Sequence, residues 1–140
     1  MAKLTIPRSV AEWNERGQDS LTGTLGIEVL AVEPEEVRMR MPVARRVMAW
    51  NGFLHAGSIV SLADSACGYG TVRNLPDDAT GFTTIELKSN FLGTALEGEI
   101  LCVARPLHRG RSKHVWDATV SAAGKPIAHF RCTQMILRGG

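Results

Sequence analysis

The sequence predicts an α+β fold in which an antiparallel β-sheet wraps around one long central helix. Residues 56–73 form an apolar stretch rich in small side chains, and a helix that is apolar on nearly all sides must be buried on nearly all sides. Six strand-like segments, two before this stretch and four after it, are separated by short turn signals. The expected order is therefore ββ, helix, ββββ, in a single domain over residues 1–140.

The elements before the central helix follow from capping and alternation. Residues 9–20 predict a short helix capped by Ser9, so residues 1–20 would form an N-terminal helical segment. In the segment after Pro34, apolar Val37, Met39 and Met41 alternate with arginine, as in a half-buried strand. We expect strands over residues 24–32 and 36–42, and a loop over 45–53.

The central helix is predicted from about Ala56 to Arg73, because Asn74-Leu-Pro-Asp-Asp stops it. Its alanines and glycines permit close packing against a sheet. Turn signals after it divide the chain into four strands, and the last two turns are predicted to be hairpin-like. These strands are expected at residues 81–92, 98–107, 112–122 and 126–137.

Composition excludes several classes of protein. With 44% apolar and 21% charged residues, the chain is typical of globular proteins and not of disordered ones. A net charge of +2 is too small to indicate a nucleic-acid partner. Apolar runs fall short of the roughly 20 residues that a membrane helix needs, and the N-terminus lacks the apolar core of a secretory signal. We therefore expect a cytoplasmic protein without membrane association.

Cysteine and histidine provide no pattern typical of a metal site. The three cysteines are odd in number, widely spaced and outside any C-x-x-C pair, so we interpret them as buried, reduced thiols. His108, His114 and His129 lack partners at ligand spacing. No metal site is expected.

The strongest functional signal is Asp64, a carboxylate in the middle of the apolar helix. Burying an ionised carboxylate is costly unless another group pairs with it or a reaction uses it. The helix start at Ala56-Gly57 offers free N–H groups and the positive end of the helix dipole, which stabilise developing negative charge. The segment therefore predicts a carboxylate with a functional role and a helix start that can bind an anion.

The segment Gly52-Phe-Leu-His55-Ala-Gly57, with Asp64 nine residues after the histidine, resembles hotdog-fold acyl-CoA thioesterases. It is most similar to the phenylacetate-pathway and 4-hydroxybenzoyl-CoA thioesterases, and the resemblance covers residues 25–137. It implies a hotdog fold and hydrolysis of a CoA thioester to free acid and CoA, with Asp64 as nucleophile or general base. The N–H at Ala56, where the family has glycine, would polarise the carbonyl. No metal or redox cofactor is implied, and coenzyme A enters as part of the substrate.

The resemblance also assigns auxiliary positions. A side-chain amide often found six residues before the histidine falls on Ala49, where no amide exists, and Asn51 could replace it if the loop path differs. A hydroxyl proposed to position water falls on Thr84. His55 is interpreted as a capping or loop-orienting residue rather than a catalyst.

A basic turn is the candidate contact for the coenzyme phosphates, since arginine and lysine bind phosphate through charge-assisted hydrogen bonds. The turn consists of Arg109, Gly110, Arg111, Ser112 and Lys113. Solvated turn charges are the alternative interpretation. Trp50 and Phe53 are expected to line the pocket or pack in a dimer.

Geometry predicts a homodimer. Ala56 and Asp64 are separated by about 12 Å along a helix that rises about 1.5 Å per residue. A reacting carbon must lie on the order of 3 Å from both groups, so one helix can hardly supply both. Two antiparallel helices in a two-fold dimer can, and the resemblance extends this expectation to a homotetramer.

Two other functions remain open on the sequence. A hotdog hydratase or dehydratase would use histidine as its main base, with a different spacing to the acidic residue. A non-catalytic acyl-CoA-binding module would keep the pocket but need no carboxylate. Asp64 argues against such a module, and the missing amide at Ala49 argues weakly for it.

Overall fold

The computed structural model describes residues 4–139 and confirms the predicted α+β fold, an antiparallel sheet around one long helix. The elements are α1 (Val10–Gly17), α2 (Leu21–Thr24), β1 (Glu28–Glu33), β2 (Glu36–Pro42), α3 (Ala56–Arg73), β3 (Ala79–Phe91), β4 (Glu99–Arg109), β5 (Lys113–Ala122) and β6 (Lys125–Arg138). The sheet order is β1-β2-β4-β5-β6-β3, so β1 and β3 form its edges. A 3-10 turn at Arg45–Val47 interrupts the predicted loop.

The central helix α3 has the predicted limits and the predicted close packing. A Cβ on Gly68 would lie 2.9 Å from the ring of Phe82, and one on Gly70 would overlap the indole of Trp116. At the C-terminal end, the side-chain amide of Asn74 donates to the Gly70 carbonyl at 2.8 Å. The small residues therefore bring the helix backbone directly onto the aromatic side chains of the sheet.

The N-terminal region differs from the prediction. Ser9 caps α1 as expected, with its hydroxyl accepting from the Glu12 N–H at 3.2 Å, but the helix ends at Gly17. The hydroxyls of Ser20 and Thr22 both donate to the Gly17 carbonyl, at 2.7 and 3.0 Å, and fold the chain back into the short helix α2. A strand start at residue 24 is therefore wrong, since β1 begins only at Glu28.

The last hairpin confirms the turn prediction. Ala123 and Gly124 both have positive φ, 48° and 78°, which is the geometry of a two-residue turn between antiparallel strands. The preceding turn is shorter than expected, because β4 continues through His108 and Arg109.

Buried side chains confirm part of the sequence interpretation. Cys67, Cys102 and Cys132 are buried free thiols, as predicted.

Among residues 4–139, no three histidine, cysteine or acidic side chains lie together as a metal-binding group. No helix in the same range is long and apolar enough to cross a membrane.

The edge strand β3 pairs with β6 on one side only. Leu87 and Phe91, on β3, are exposed, although they stand opposite Cys132 and Ala128, which are buried in the core. Residues directly opposite in a sheet point to the same face, so Leu87 and Phe91 lie on the face that packs against α3. An apolar, unpaired edge thus borders the helix.

Candidate active site

His55 forms the N-cap of α3. Its backbone is extended, with φ −66° and ψ 132°, and its Nδ1 accepts a hydrogen bond from the Gly57 N–H at 2.7 Å. This is the capping contact expected for His55. Because Nδ1 acts as an acceptor, the ring carries no proton on that nitrogen in this arrangement.

The cap changes which N–H groups at the helix start can bind a substrate. Gly57 donates to His55 Nδ1, while Ser58 and Ile59 donate to the His55 carbonyl at 3.0 and 3.3 Å. Among the hydrogen bonds of residues 4–139, none is donated by the Ala56 N–H. The Ala56 N–H is therefore the unoccupied backbone donor at the helix start, and a role of Ala56 and Gly57 in binding an oxyanion stays a prediction.

A small hairpin precedes the helix and fixes the path of the chain up to the Ala56 N–H. Met48 and Leu54 form an isolated antiparallel bridge, and the N–H of His55 donates to the Val47 carbonyl at 3.1 Å. The Ser58 hydroxyl, itself buried, donates to the same carbonyl at 2.9 Å. The Val47 carbonyl thus binds one residue just before the start of α3 and one in its first turn, which ties the hairpin to the helix.

Asn51 lies at the tip of this hairpin, and its side chain closes its own turn. Its Oδ1 accepts from the Phe53 N–H at 3.4 Å, next to the positive-φ Gly52. Trp50 beside it is 98% exposed. Ala49 and Trp50 line an open groove of about 530 Å³ along this hairpin. A substrate contact from Asn51 stays a prediction.

Asp64 is half-buried in the middle of α3 and faces the edge strand β3. The Thr84 hydroxyl donates to Asp64 Oδ1 at 3.0 Å. The register of β3 against β6 shifts directly after Thr84, and such bulges commonly re-aim a side chain next to an active site. The sequence predictions for Asp64 and Thr84 thus fall on two residues in direct contact.

Burial raises the pKa of Asp64 above its ordinary value, and the hydrogen bond from Thr84 opposes that rise. Desolvation disfavours the charged carboxylate, whereas a donor favours it. The outcome is a carboxylate that is less solvated than one on the surface and keeps one hydrogen-bond donor.

A buried network behind Thr84 was not predicted. The side-chain amide of Gln134, on β6, donates to the Thr84 hydroxyl at 3.4 Å, and the Thr71 hydroxyl donates to Gln134 Oε1. Gln134 and Thr71 are completely buried. One signal could have found Gln134: it is the polar member of an alternating row of buried β6 residues, namely Ala128, Phe130, Cys132, Gln134 and Ile136.

The basic turn lies near the C-terminal end of α3, away from Ala56. Arg109 is held by an ion pair with Glu35 at 2.5 Å and by hydrogen bonds to the Pro34 carbonyl and Asn74 Oδ1. The Arg111 side chain is 82% exposed, and its ion pair with Asp78 is long, at 3.9 Å. In the turn itself, the Gly110 N–H donates to the Lys113 carbonyl, and the Ser112 carbonyl accepts from Ile136. Arg111 and Lys113 therefore have the freer side chains.

The site has two halves within one chain. Ala56 opens α3, and Asp64 lies two turns further on, about 12 Å away along the axis. A single chain brings Asp64 and Thr84 together but does not bring Ala56 to them.

A family profile described as Thioesterase superfamily matches residues 51–128, which contain the second half of the hairpin, α3 and Thr84. The chain belongs to the Thioesterase superfamily. Relatives of this thioesterase include proteins named 1,4-dihydroxy-2-naphthoyl-CoA hydrolase from Listeria monocytogenes and Escherichia coli. The first is 30% identical over 81% of this chain and 92% of its own length, and the second is 28% identical over 89% and 91%.

The thioesterase is also similar to solved structures. A mutant thioesterase from Pseudomonas aeruginosa superimposes with a TM-score of 0.90 at 29% identity, covering 99% of this chain and all of that one. These likenesses support thioester hydrolysis as the general activity of the protein.

Proposed function

We propose that this protein hydrolyses a CoA thioester to a free acid and CoA, in a site shared by two copies of the chain. The observation that carries the proposal is Asp64, a half-buried carboxylate that accepts a hydrogen bond from Thr84 and has no cation among its hydrogen-bond or ion-pair partners within residues 4–139. Structural carboxylates in proteins are usually paired or well solvated. A carboxylate that is neither is suited to attack or to proton transfer.

Two routes use the same residues. Asp64 attacks the thioester carbonyl carbon, or it removes a proton from a water molecule that attacks instead. In both routes negative charge develops on the carbonyl oxygen, and the free N–H of Ala56 from the second chain stabilises it. The C–S bond then breaks, and CoA leaves as the thiolate and takes up a proton. In the first route this leaves a mixed anhydride between the acyl group and Asp64, and a water molecule then hydrolyses it to release the acid and restore the carboxylate. In the second route the attacking water becomes the hydroxyl of the acid, and its proton passes through Asp64 to the thiolate. Neither route requires a metal or redox cofactor.

The exposed edge of β3 supports a homodimer. An unpaired strand edge is a template for pairing with another chain, and Ile85, Leu87 and Phe91 add exposed apolar surface to it. Antiparallel pairing of two β3 strands about a two-fold axis would set the two α3 helices antiparallel. Asp64 would lie close to the axis because its partner Thr84 is on β3. We extend this to a homotetramer of two such dimers, which a sedimentation mass would test.

The basic turn fits the phosphates of CoA in this arrangement. In an antiparallel pair of helices, the C-terminal end of one α3 lies beside the N-terminal hairpin of the other. The turn carrying Arg111 and Lys113 would thus face the partner's groove at Ala49 and Trp50. We propose Arg111 and Lys113 as phosphate contacts, whereas Arg109 already serves the fold through Glu35.

The relatives suggest the class of substrate. Two of them are named for an aryl-CoA, 1,4-dihydroxy-2-naphthoyl-CoA. We propose that the substrate is an acyl-CoA or aryl-CoA, and a panel of short, medium, long and aryl thioesters would select among them by release of free CoA.

The decisive experiment is Asp64→Asn on the best substrate of that panel. Loss of a positioned base or nucleophile should lower turnover by about 10²–10⁴-fold. Asp117→Asn is the matched control, because it removes an exposed carboxylate paired with Arg131 on the other face of the sheet. Unchanged hydrolysis by Asp64→Asn would overturn the assignment. Binding of CoA esters by the wild type without release of thiol would indicate a binding module instead, and hydration of an enoyl-CoA with the thioester intact would indicate a hydratase.

A further inference from the structure

We infer that Gln134 is a positioning residue that holds the Thr84 hydroxyl as a hydrogen-bond donor to Asp64. The inference rests on the proposed function, since it concerns the same carboxylate. Gln134 does not touch Asp64 and reaches it only through Thr84.

The direction of the hydrogen bonds follows from the donor inventory. Thr71 donates to Gln134 Oε1, so the amide oxygen is occupied and the amide NH₂ is directed to Thr84. An amide nitrogen only donates, so the Thr84 oxygen must accept from it. The single proton of the Thr84 hydroxyl is then free for Asp64 Oδ1, at 3.0 Å. All three bonds point toward Asp64.

Burial shows that this network is not incidental. Gln134 is completely buried on the inner face of β6, between Cys132 and Ile136 in the inward row. An amide placed among apolar side chains costs free energy unless its donors and acceptors are used. The Gln134 amide oxygen accepts from Thr71, and its amide nitrogen donates to Thr84, so both groups belong to the chain of hydrogen bonds that ends at Asp64.

Successive bonds in one direction polarise each other, so Gln134 strengthens the bond that Thr84 donates to the carboxylate. That donor lowers the pKa of Asp64 against the effect of burial. Other titratable groups near the network are thiols and one imidazole. Burial, the neighbouring Cys132 on β6 and, to a smaller extent, the charge of Asp64 raise the pKa of the Cys67 thiol on α3. His114 on β5 lies opposite Gln134 in the sheet. Burial lowers the pKa of His114, so it is neutral near pH 7.

The test compares Gln134→Met, which removes the amide donors, with Gln134→Glu, which keeps the shape but only accepts when ionised. Thr22→Val is the matched control, because it removes one buried hydroxyl, bonded to the Gly17 carbonyl, far from Asp64. We expect kcat to fall about fivefold to tenfold in Gln134→Met, with KM within about twofold, as the effect of roughly one buried hydrogen bond. The Glu variant should lose more at pH values where its carboxyl is ionised, since the carboxylate then draws the Thr84 proton away from Asp64.

A merely structural role would not move the titration of Asp64. We expect the acidic limb of the pH–kcat/KM profile to shift to higher pH in both Gln134 variants and to stay in place in Thr22→Val. In a Thr84→Val background, Gln134→Met should add no further shift, because the donor it positions is gone. Additive shifts in that background would overturn the inference.

Carbon-13 NMR of the Asp64 carboxyl provides a readout that does not depend on activity. Its titration midpoint should rise in Gln134→Met and Gln134→Glu. An unchanged midpoint would overturn the positioning role, even if the protein hydrolyses thioesters. A raised midpoint in a protein that hydrolyses none would leave the positioning role in place and reject the proposed function.

Discussion

The Nδ1 of His55 accepts the N–H of Gly57 at 2.7 Å and thereby leaves the N–H of Ala56 as the free donor at the start of α3. His55 thus determines which backbone donor at the start of α3 is already occupied. The same hydrogen bond between His55 and Gly57 caps the helix end at which the Ala56 N–H lies.

Ala56→Pro removes this donor with little change elsewhere. Ala56 is the first residue of α3, where proline is tolerated, and the extended backbone of His55 already suits a residue that precedes proline. We expect kcat to fall about 10²–10³-fold, as for loss of one oxyanion donor, with an unchanged melting temperature. Ala56→Ser, which keeps the N–H, is the control and should stay active. Full activity of the proline variant would show that Ala56 N–H does not bind the oxyanion.

Complementation tests the shared site. In a dimer formed from one Ala56→Pro chain and one Asp64→Asn chain, one of the two sites contains intact Asp64 and intact Ala56, and the other contains both changes. Unfolding and refolding an equal mixture of the two inactive proteins should therefore restore about one quarter of wild-type activity, because half the dimers are mixed and each has one good site. No recovery, with mixed dimers shown by mass spectrometry, would place both halves in one chain.

Asp64→Asn should raise stability while it removes activity. Burial raises the pKa of Asp64, so the ionised carboxylate destabilises the folded state at neutral pH. This cost is fully present above the raised pKa and disappears as the pH falls through it toward the ordinary aspartate value of about 3.9. The melting temperature of Asp64→Asn should exceed that of the wild type at pH 7, and the difference should shrink as the pH is lowered. A lower melting temperature at pH 7 would contradict the predicted cost.

Gly70→Ala tests the contact between α3 and the sheet. A Cβ at this position would overlap the Trp116 indole, which is completely buried and cannot move aside freely. We expect a loss of about 1–3 kcal/mol in the free energy of unfolding by denaturant titration. Gly81→Ala is the control, since its Cβ would meet only Leu4 at 3.6 Å. Equal stability of the two variants would show that the helix can shift away from Trp116.

The limits of α3 were predictable because its signals are local. The small apolar residues and the stop at Asn74 belong to the helix itself, and capping by His55 needs only residues 55–57. The region 17–27 was mispredicted because hydroxyls of Ser20 and Thr22 return to the Gly17 carbonyl, and sequence propensity favoured a longer helix followed directly by a strand.

The candidate site also contains residues that the sequence predicts and one that it does not. Asp64 was identifiable from sequence because a charge in an apolar helix is conspicuous, and Thr84 was identified through the family resemblance. Gln134 was missed, although it interrupts an apolar alternation, because its role depends on Thr71 and Thr84, which are 63 and 50 residues away.

The amino-acid sequence by itself determined the order of the strands around the central helix, the limits of that helix and the position of its one half-buried carboxylate, since these depend on residue type and spacing. Only the tertiary structure decided which backbone N–H stays free, how the Asp64 carboxyl is hydrogen-bonded and which strand edge remains unpaired. The physical reason is that hydrogen bonds have direction and one partner per proton. Which partner wins depends on side chains that meet only when the sheet closes around α3.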